Sequence, residues 1–330
     1  MALVRRARGL AACAFVLVFL TAPARAQLIP PQPTQWLVSP GFGKSEAARM
    51  NISGAACAVT TPPFRACLAV NDEESYAQTF RIAGRTLVPG PVVPLLGKSG
   101  SDPDAEGAAY DNGYFYAIGS HGLSRHNGKL HESAFLVFRL RAAVQPANAP
   151  GEIAAPVETS GKLRAALRDA ESVGAFAEKP LNAGGINIEG IAVAGGRLYA
   201  GLRAPNLENR GFVLSAALDG VFGNKPLAAK VHALALGPHR GIRDLARVDG
   251  GILVLAGPSV EENVPVSVFF WNPDSGALKK LGDLDRLPPG AKAETLLVLA
   301  QTPQLFDVLV MFDGIKDGGP IEYVLPLMRY

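Results

Sequence analysis

The sequence is poor in several residue types at once. It has three cysteines, four methionines, two tryptophans and five histidines among 330 residues, and aromatic residues reach only 7%. Few aromatics leave no evident stacking platform for bases or sugars. The sparse Cys and His residues lack zinc-ligand spacing. Charged residues make up 18% of the chain and the formal net charge is +3, too weak a footprint for a nucleic-acid binder. Beyond residue 26 no segment reaches the roughly 18 apolar residues that a membrane span needs. The chain also lacks a G-x-S-x-G elbow, a P-loop, an H-E-x-x-H pair and a dinucleotide fingerprint. What it has in excess is punctuation, with 36 Gly and 26 Pro in a chain that is 48% hydrophobic. That balance excludes disorder and suits many short strands joined by turns.

The +3 charge belongs to the first 26 residues. Arg5, Arg6 and Arg8 precede the apolar run 10–20, and Ala24-Arg25-Ala26 follows it. A basic start, a short apolar run and an A-x-A site read as a secretory signal peptide. Removing its four arginines leaves 28 basic residues against 29 acidic ones. The expected mature chain, from Gln27, is near neutral and periplasmic or secreted, with no transmembrane segment after cleavage. Cleavage also removes Cys13. It leaves Cys57 and Cys67, which flank a Thr-Thr-Pro-Pro turn at 60–63. Export permits a cross-hairpin disulfide there, and two buried free thiols are the alternative.

Internal repeats fix the fold class. Five segments start with a polar or charged residue beside a small one and then run apolar: NISGAACAV, DAEGAAY, NIEGIAVA, GIRDLARV and AKAETLLVL. A turn and a second apolar strand follow each. Ser53, Glu106, Glu189, Arg243 and Glu294 mark equivalent places, at steps of 53, 83, 54 and 51 residues. A period near 50 with about four short strands per unit indicates an all-β fold, a β-propeller. Five four-stranded blades are expected, or six if the long step hides a degenerate one. That step holds an insertion over 141–186, in which Ser160 as N-cap and Leu163, Ala166, Leu167 and Ala170 predict one short helix. The last unit runs out after its third strand. A spare N-terminal strand around 35–38 is expected to close it, within one propeller domain spanning 27–330.

In a propeller the starts of the innermost strands and the ends of the second strands share one face. That face gathers Asp104, Glu106, Asn187, Glu189, Arg243, Asp244 and Glu294, and adds Asp72, Glu73, His121, Arg203 and Asp313. Glu106, Glu189 and Glu294 recur at one repeat position and form a candidate site for a divalent cation, calcium favoured, through oxygen ligands. The alternative is that they hold turns. Arg203 and Arg243 are candidates for a fork that takes a carboxylate or phosphate, or they pair with ring carboxylates. Asp72, Glu73, Asp244 and Asp313 complete the candidate ligand-binding set. His121 is the candidate proton shuttle, with a hydrogen-bonded loop histidine as the alternative. Arg125, His126 and His131 lie in a loop that could cover the mouth.

The runs GINIEGIA (185–192), GLRAP (201–205), GIRDLA (241–246) and AGP (256–258) carry a resemblance, joined by DAEG at 104–107, GSH at 119–121 and NDE at 71–73. Together they resemble an uncharacterised bacterial family, number 3616 of the domains of unknown function. That family is distantly similar to esterase-like phytase propellers and calcium-dependent lactonases. The resemblance implies the propeller fold and transfers no activity. The expected function is binding of a small polar or anionic molecule on the top face, as a metal-assisted phosphoester or lactone hydrolase. A non-catalytic binding or scaffold propeller of the cell envelope is the alternative.

Overall fold

A computed structural model describes residues 27–58, 65–97, 102–125, 128–142 and 153–327. The expected signal peptide, the turn at 60–63 and His126 lie outside the described residues. Among those described, no helix is long and apolar enough to cross a membrane.

Five antiparallel sheets stand around a channel as the blades of a propeller. Their innermost strands are Ile52–Cys57, Ala105–Asp111, Asn187–Ala194, Arg240–Val248 and Lys292–Gln301. Each packs on the next, and the fifth packs back on the first. The blade number is therefore five. Blades 1 to 4 carry four consecutive strands, and blade 5 carries three.

Side chains alternate across a strand, so each blade presents one apolar face to either neighbour. The core divides accordingly into five clusters, one per seam between blades. In the first innermost strand Ala55 packs toward blade 5 and Ala56 toward blade 2. The long step between the second and third units is not a sixth blade. It supplies the fourth strand of blade 2, Ile153–Ser160, and then the helix Leu163–Arg168, whose Leu163 and Leu167 bury into the seam between blades 2 and 3. Ser160 ends that strand, and its hydroxyl accepts the Lys162 N–H just before the helix at 3.4 Å. Its hydroxyl donates to the Val221 carbonyl at 2.7 Å.

The N-terminal segment corrects one detail of the expected closure. Strand Leu37–Val38 joins blade 1, parallel to its outer strand Thr86–Pro94. The last blade is met earlier, by a single antiparallel bridge from Pro31 to Tyr323 and by Gln32 N–H donating to the Glu322 carbonyl at 2.8 Å. Strand Leu28–Ile29 pairs parallel with the outer strand of blade 4. Residues 27–39 thus form a strap across the outer edges of blades 4, 5 and 1. Glu322 explains where the strap turns, because it accepts hydrogen bonds from both Thr34 Oγ1 and Trp36 Nε1. Cys57 and Cys67 face each other in the first hairpin and form a disulfide.

Candidate functional site

One backbone irregularity recurs in all five blades. Near the start of each innermost strand one extra residue interrupts the ladder with the second strand. The extra residues are Ser53, Glu106, Glu189, Arg243 and Glu294, the repeat markers themselves. A β-bulge re-aims the side chain of its extra residue. Here it gathers oxygens of Glu106, Glu189 and Glu294 within 4.8 Å of one another at one end of the channel. In blades 1 to 3 the residue after the bulge is a glycine, which lets the next innermost strand approach closely. A Cβ on Gly190 would lie 2.7 Å from the Asp244 backbone.

The three glutamates share a position but not an environment. Glu189 is 2% exposed. Arg203 Nη1 donates to its Oε1 at 2.6 Å, and Arg243 Nη2 stands 3.0 Å from its Oε2. Burial pushes its pKa up, but the two guanidinium groups outweigh burial and hold Glu189 below the usual carboxylate range. Glu294 is pushed well above that range by burial, against the pull of Arg243, which bonds its Oε1. Glu106 is 8% exposed and has neither an ion pair nor a hydrogen bond among the described residues. Burial, then repulsion from Glu189, Asp104 and Asp72, raises it far. Asp72 is raised to about 7 by burial and by Asp313, and Asp104 to about 6, chiefly by burial.

Neither arginine is a free fork for an anion. Arg203 is divided between Glu189 and the Ser259 carbonyl, and Arg243 between Glu189 and Glu294. Glu189 of the same blade reaches Arg203, and carboxylates of both neighbouring blades reach Arg243, in a buried setting where an unpaired charge is costly. Asp244 belongs to the seam between blades 4 and 5. Its two oxygens accept Leu245 N–H and Leu296 N–H, both at 2.7 Å. Burial raises its pKa nonetheless. Asp313 pairs with Lys292 at 2.8 Å, and Glu73 is exposed.

His121 stands apart from this ring. It takes a left-handed backbone conformation, φ 51°, which turns it under the segment Glu132–Phe135. Its N–H donates to the Ala134 carbonyl, its ring packs edge-on to Phe135, and Nδ1 lies 2.9 Å from the Gly119 carbonyl. Burial lowers its pKa to about 4, and the charge acting on it is Arg164 of the rim helix. It is 2% exposed, and its Nε2 has no hydrogen-bond partner. The candidate proton shuttle is therefore a buried histidine that packs on Phe135 and whose pKa burial lowers.

The profile of the family described as "Protein of unknown function (DUF3616)" matches residues 67–150 and 143–317. The chain belongs to this family. No curated protein matches it. Among solved structures, a glutaminyl cyclase of Myxococcus xanthus is similar at 11% identity and a TM-score of 0.46, over 91% of this chain and 98% of that one. An exo-β-1,3-galactanase of Phanerochaete chrysosporium is similar at 9% identity and 0.49, over 90% of this chain and 64% of that one. GH43B of a Bacteroides ovatus xyloglucan locus is similar at 11% and 0.45, over 88% and 54%. The chain thus spans less than two thirds of the last two. These are likenesses of chain path and bring no chemistry with them.

The runs that carry the resemblance supply the charged residues of the channel mouth. GINIEGIA supplies Glu189, GLRAP supplies Arg203, GIRDLA supplies Arg243 and Asp244, and DAEG supplies Asp104 and Glu106. AGP supplies space. A Cβ on Gly257 would lie 3.1 Å from Arg243 Cγ, so the glycine admits the arginine stem. The channel also holds a cavity of about 430 Å³, lined by Ala55, Ala108 and Leu245 and by the polar Arg65, Arg247, Asp249 and Gln301. Sequence reasoning missed Lys292 as the partner of Asp313. It also missed Ser259, which acts through its backbone carbonyl and leaves no side-chain signal.

Proposed function

We propose that the channel mouth binds a divalent cation and, through it, a small polar ligand, in the manner of a metal-assisted phosphoester or lactone hydrolase. The observation that carries this reading is the meeting of Glu106, Glu189 and Glu294 oxygens within 4.8 Å, with Arg203 and Arg243 paired to Glu189 and Glu294. Oxygen donors at that spacing suit a hard cation such as calcium. Bound there, the cation would polarise an ester or lactone carbonyl or a phosphoryl oxygen. Glu189, fixed by two arginines, would orient the layer, and Glu106 would face the ion. An anionic ligand would be met by the cation and not by the arginines, which are already paired. Export to the periplasm or outside the cell fits the Cys57–Cys67 disulfide. No nucleic-acid partner is expected.

A scaffold reading also has an observation in its favour. The chain Arg203–Glu189–Arg243–Glu294 links blades 3, 4 and 5 and could serve the fold alone. Melting in EDTA, then with millimolar calcium, magnesium or manganese, separates the two. A ligand that binds only the folded state raises the melting temperature. Cation binding is expected to raise it and to accompany hydrolysis of phosphoester or lactone probes. No shift with any of the three ions would leave the scaffold reading standing.

A further inference from the structure

The five bulged residues form one layer around the channel, and the order of the blades sets their order around it. Ser53 of blade 1 is followed by Glu106, Glu189, Arg243 and Glu294, and Glu294 closes on Ser53. Arg243 stands between Glu189 and Glu294 and pairs with both. That flank of the layer is filled by a long side chain whose charge is already matched. On the other flank, between Glu294 and Glu106, the layer holds Ser53, the shortest side chain of the five. The glutamate oxygens that meet within 4.8 Å thus have a guanidinium on one flank and an opening on the other.

The serine at that opening is 1% exposed, and its hydroxyl has no hydrogen-bond partner among the described residues. Its strand lies against that of Glu106. A Cβ on the next residue, Gly54, would lie 2.8 Å from the Glu106 carbonyl oxygen. The bulge that turns the glutamates toward the channel mouth turns Ser53 there as well. Buried hydroxyls are nearly always satisfied, by protein or by ordered water. A hydroxyl left over on the open flank of three meeting carboxylates points to a bound oxygen as its partner.

We infer that the cation held by Glu106, Glu189 and Glu294 keeps an exchangeable water on its Ser53 flank, and that the Ser53 hydroxyl accepts a hydrogen bond from that water. This rests on the cation reading above and adds the side from which the ion is reached. Calcium takes roughly six to eight oxygens, so the three carboxylates leave places for water. An ion-bound water donates its hydrogens. A serine oxygen accepts them, whereas a guanidinium has no acceptor to offer. The oxygen of an incoming ligand takes that water's place, which makes Ser53 a positioning residue.

The test uses terbium, a hard ion that competes with calcium for oxygen donors, on the EDTA-stripped full chain. Its luminescence lifetimes in H2O and D2O count the waters bound to the ion. The parent chain is expected to bind terbium with water still attached, and calcium to displace it. Glu106→Gln should weaken terbium about tenfold or more, since a lost ligand costs no less than a lost outer-shell partner. Ser53→Ala should weaken it about tenfold. The same variant should melt no lower than the parent without ion, because the hydroxyl it removes bonds nothing in the protein. Ser53→Thr, which keeps the hydroxyl, should retain most of the affinity. Ser53→Asp puts a carboxylate where the water stood and should lower the water count by about one. No response of the parent to terbium, calcium, magnesium or manganese, or binding that Glu106→Gln leaves untouched, sinks this inference and the cation reading together. Binding that Ser53→Ala leaves at full strength, or a Ser53→Asp water count equal to the parent's, overturns the Ser53 assignment and spares the cation reading. A Ser53→Ala variant that melts lower without ion would give Ser53 to the fold and overturn the assignment too.

Discussion

Glu189 and Glu106 occupy one repeat position and do opposite things. Glu189 stabilises two buried guanidinium groups, Arg203 and Arg243, whereas Glu106 forms no ion pair among the described residues and is raised chiefly by burial and by neighbouring carboxylates. Breaking a buried pair by neutralising one partner strands the other charge and typically costs ~3–5 kcal/mol. Glu189→Gln is therefore expected to lose stability of that order in urea denaturation, and Glu106→Gln in ion-free buffer to lose none. Equal losses in the two variants would refute the division. The sequence showed that these glutamates recur and that the arginines lie on the same face. It could not show which carboxylate each arginine takes, because Arg243 is shared between blades 3 and 5, whose distances from it only the folded ring sets. His121 misled for a related reason. Its place after the second strand was right, but the left-handed turn at φ 51° folds it beneath Phe135, and nothing in the GSH run signals that turn.

Among the elements, the strap and the edge it crosses make the clearest unit. Asp307 and Glu322 lie on adjacent strands of blade 5, and Glu322 is the acceptor that anchors Thr34 and Trp36. Burial, then the neighbouring Glu322, raises Asp307 to about 6. A carboxyl raised in the folded state contributes stability that is complete below its unfolded pKa and is lost as pH rises through its folded pKa. The window is thus from about pH 4 to about pH 6. Asp307→Asn should melt progressively higher than the parent chain as pH rises across that window, with the difference level above it. A difference that shrinks with rising pH would show the sign to be wrong. The blade period was legible because each marker is a bulged residue, so one irregularity imprinted polar-then-apolar spacing five times. The strap's pairing was not legible, since two-residue parallel strands such as Leu28–Ile29 and Leu37–Val38 carry no periodicity. Their destination is set by edges that only the folded ring presents.

At the scale of the molecule, the question is how a ring with a three-stranded last blade stays closed. Among the described residues no fourth strand completes blade 5. Two fastenings span the junction instead. Near the channel mouth, Arg49 of the helix Glu46–Met50 grips Asp317, which also accepts Phe42 N–H at 2.8 Å. On the outside, the strap covers the edges of blades 4, 5 and 1 and buries Ile29 in the seam between blades 4 and 5. Burial of one such side chain contributes about 1.5–3 kcal/mol, and the covered edges would otherwise offer unpaired N–H and C=O groups to other chains. A chain beginning at Pro40 should consequently melt lower than one beginning at Gln27, and show a higher apparent mass by light scattering at equal concentration. The two effects have separate causes, so they separate by rescue. Added strap peptide should restore both, while Arg49→Ala in the full chain should lower the melting temperature without raising the mass. If the shortened chain kept its melting temperature and its mass, the Arg49–Asp317 clasp and the seam between blades 5 and 1 would be closing the ring unaided.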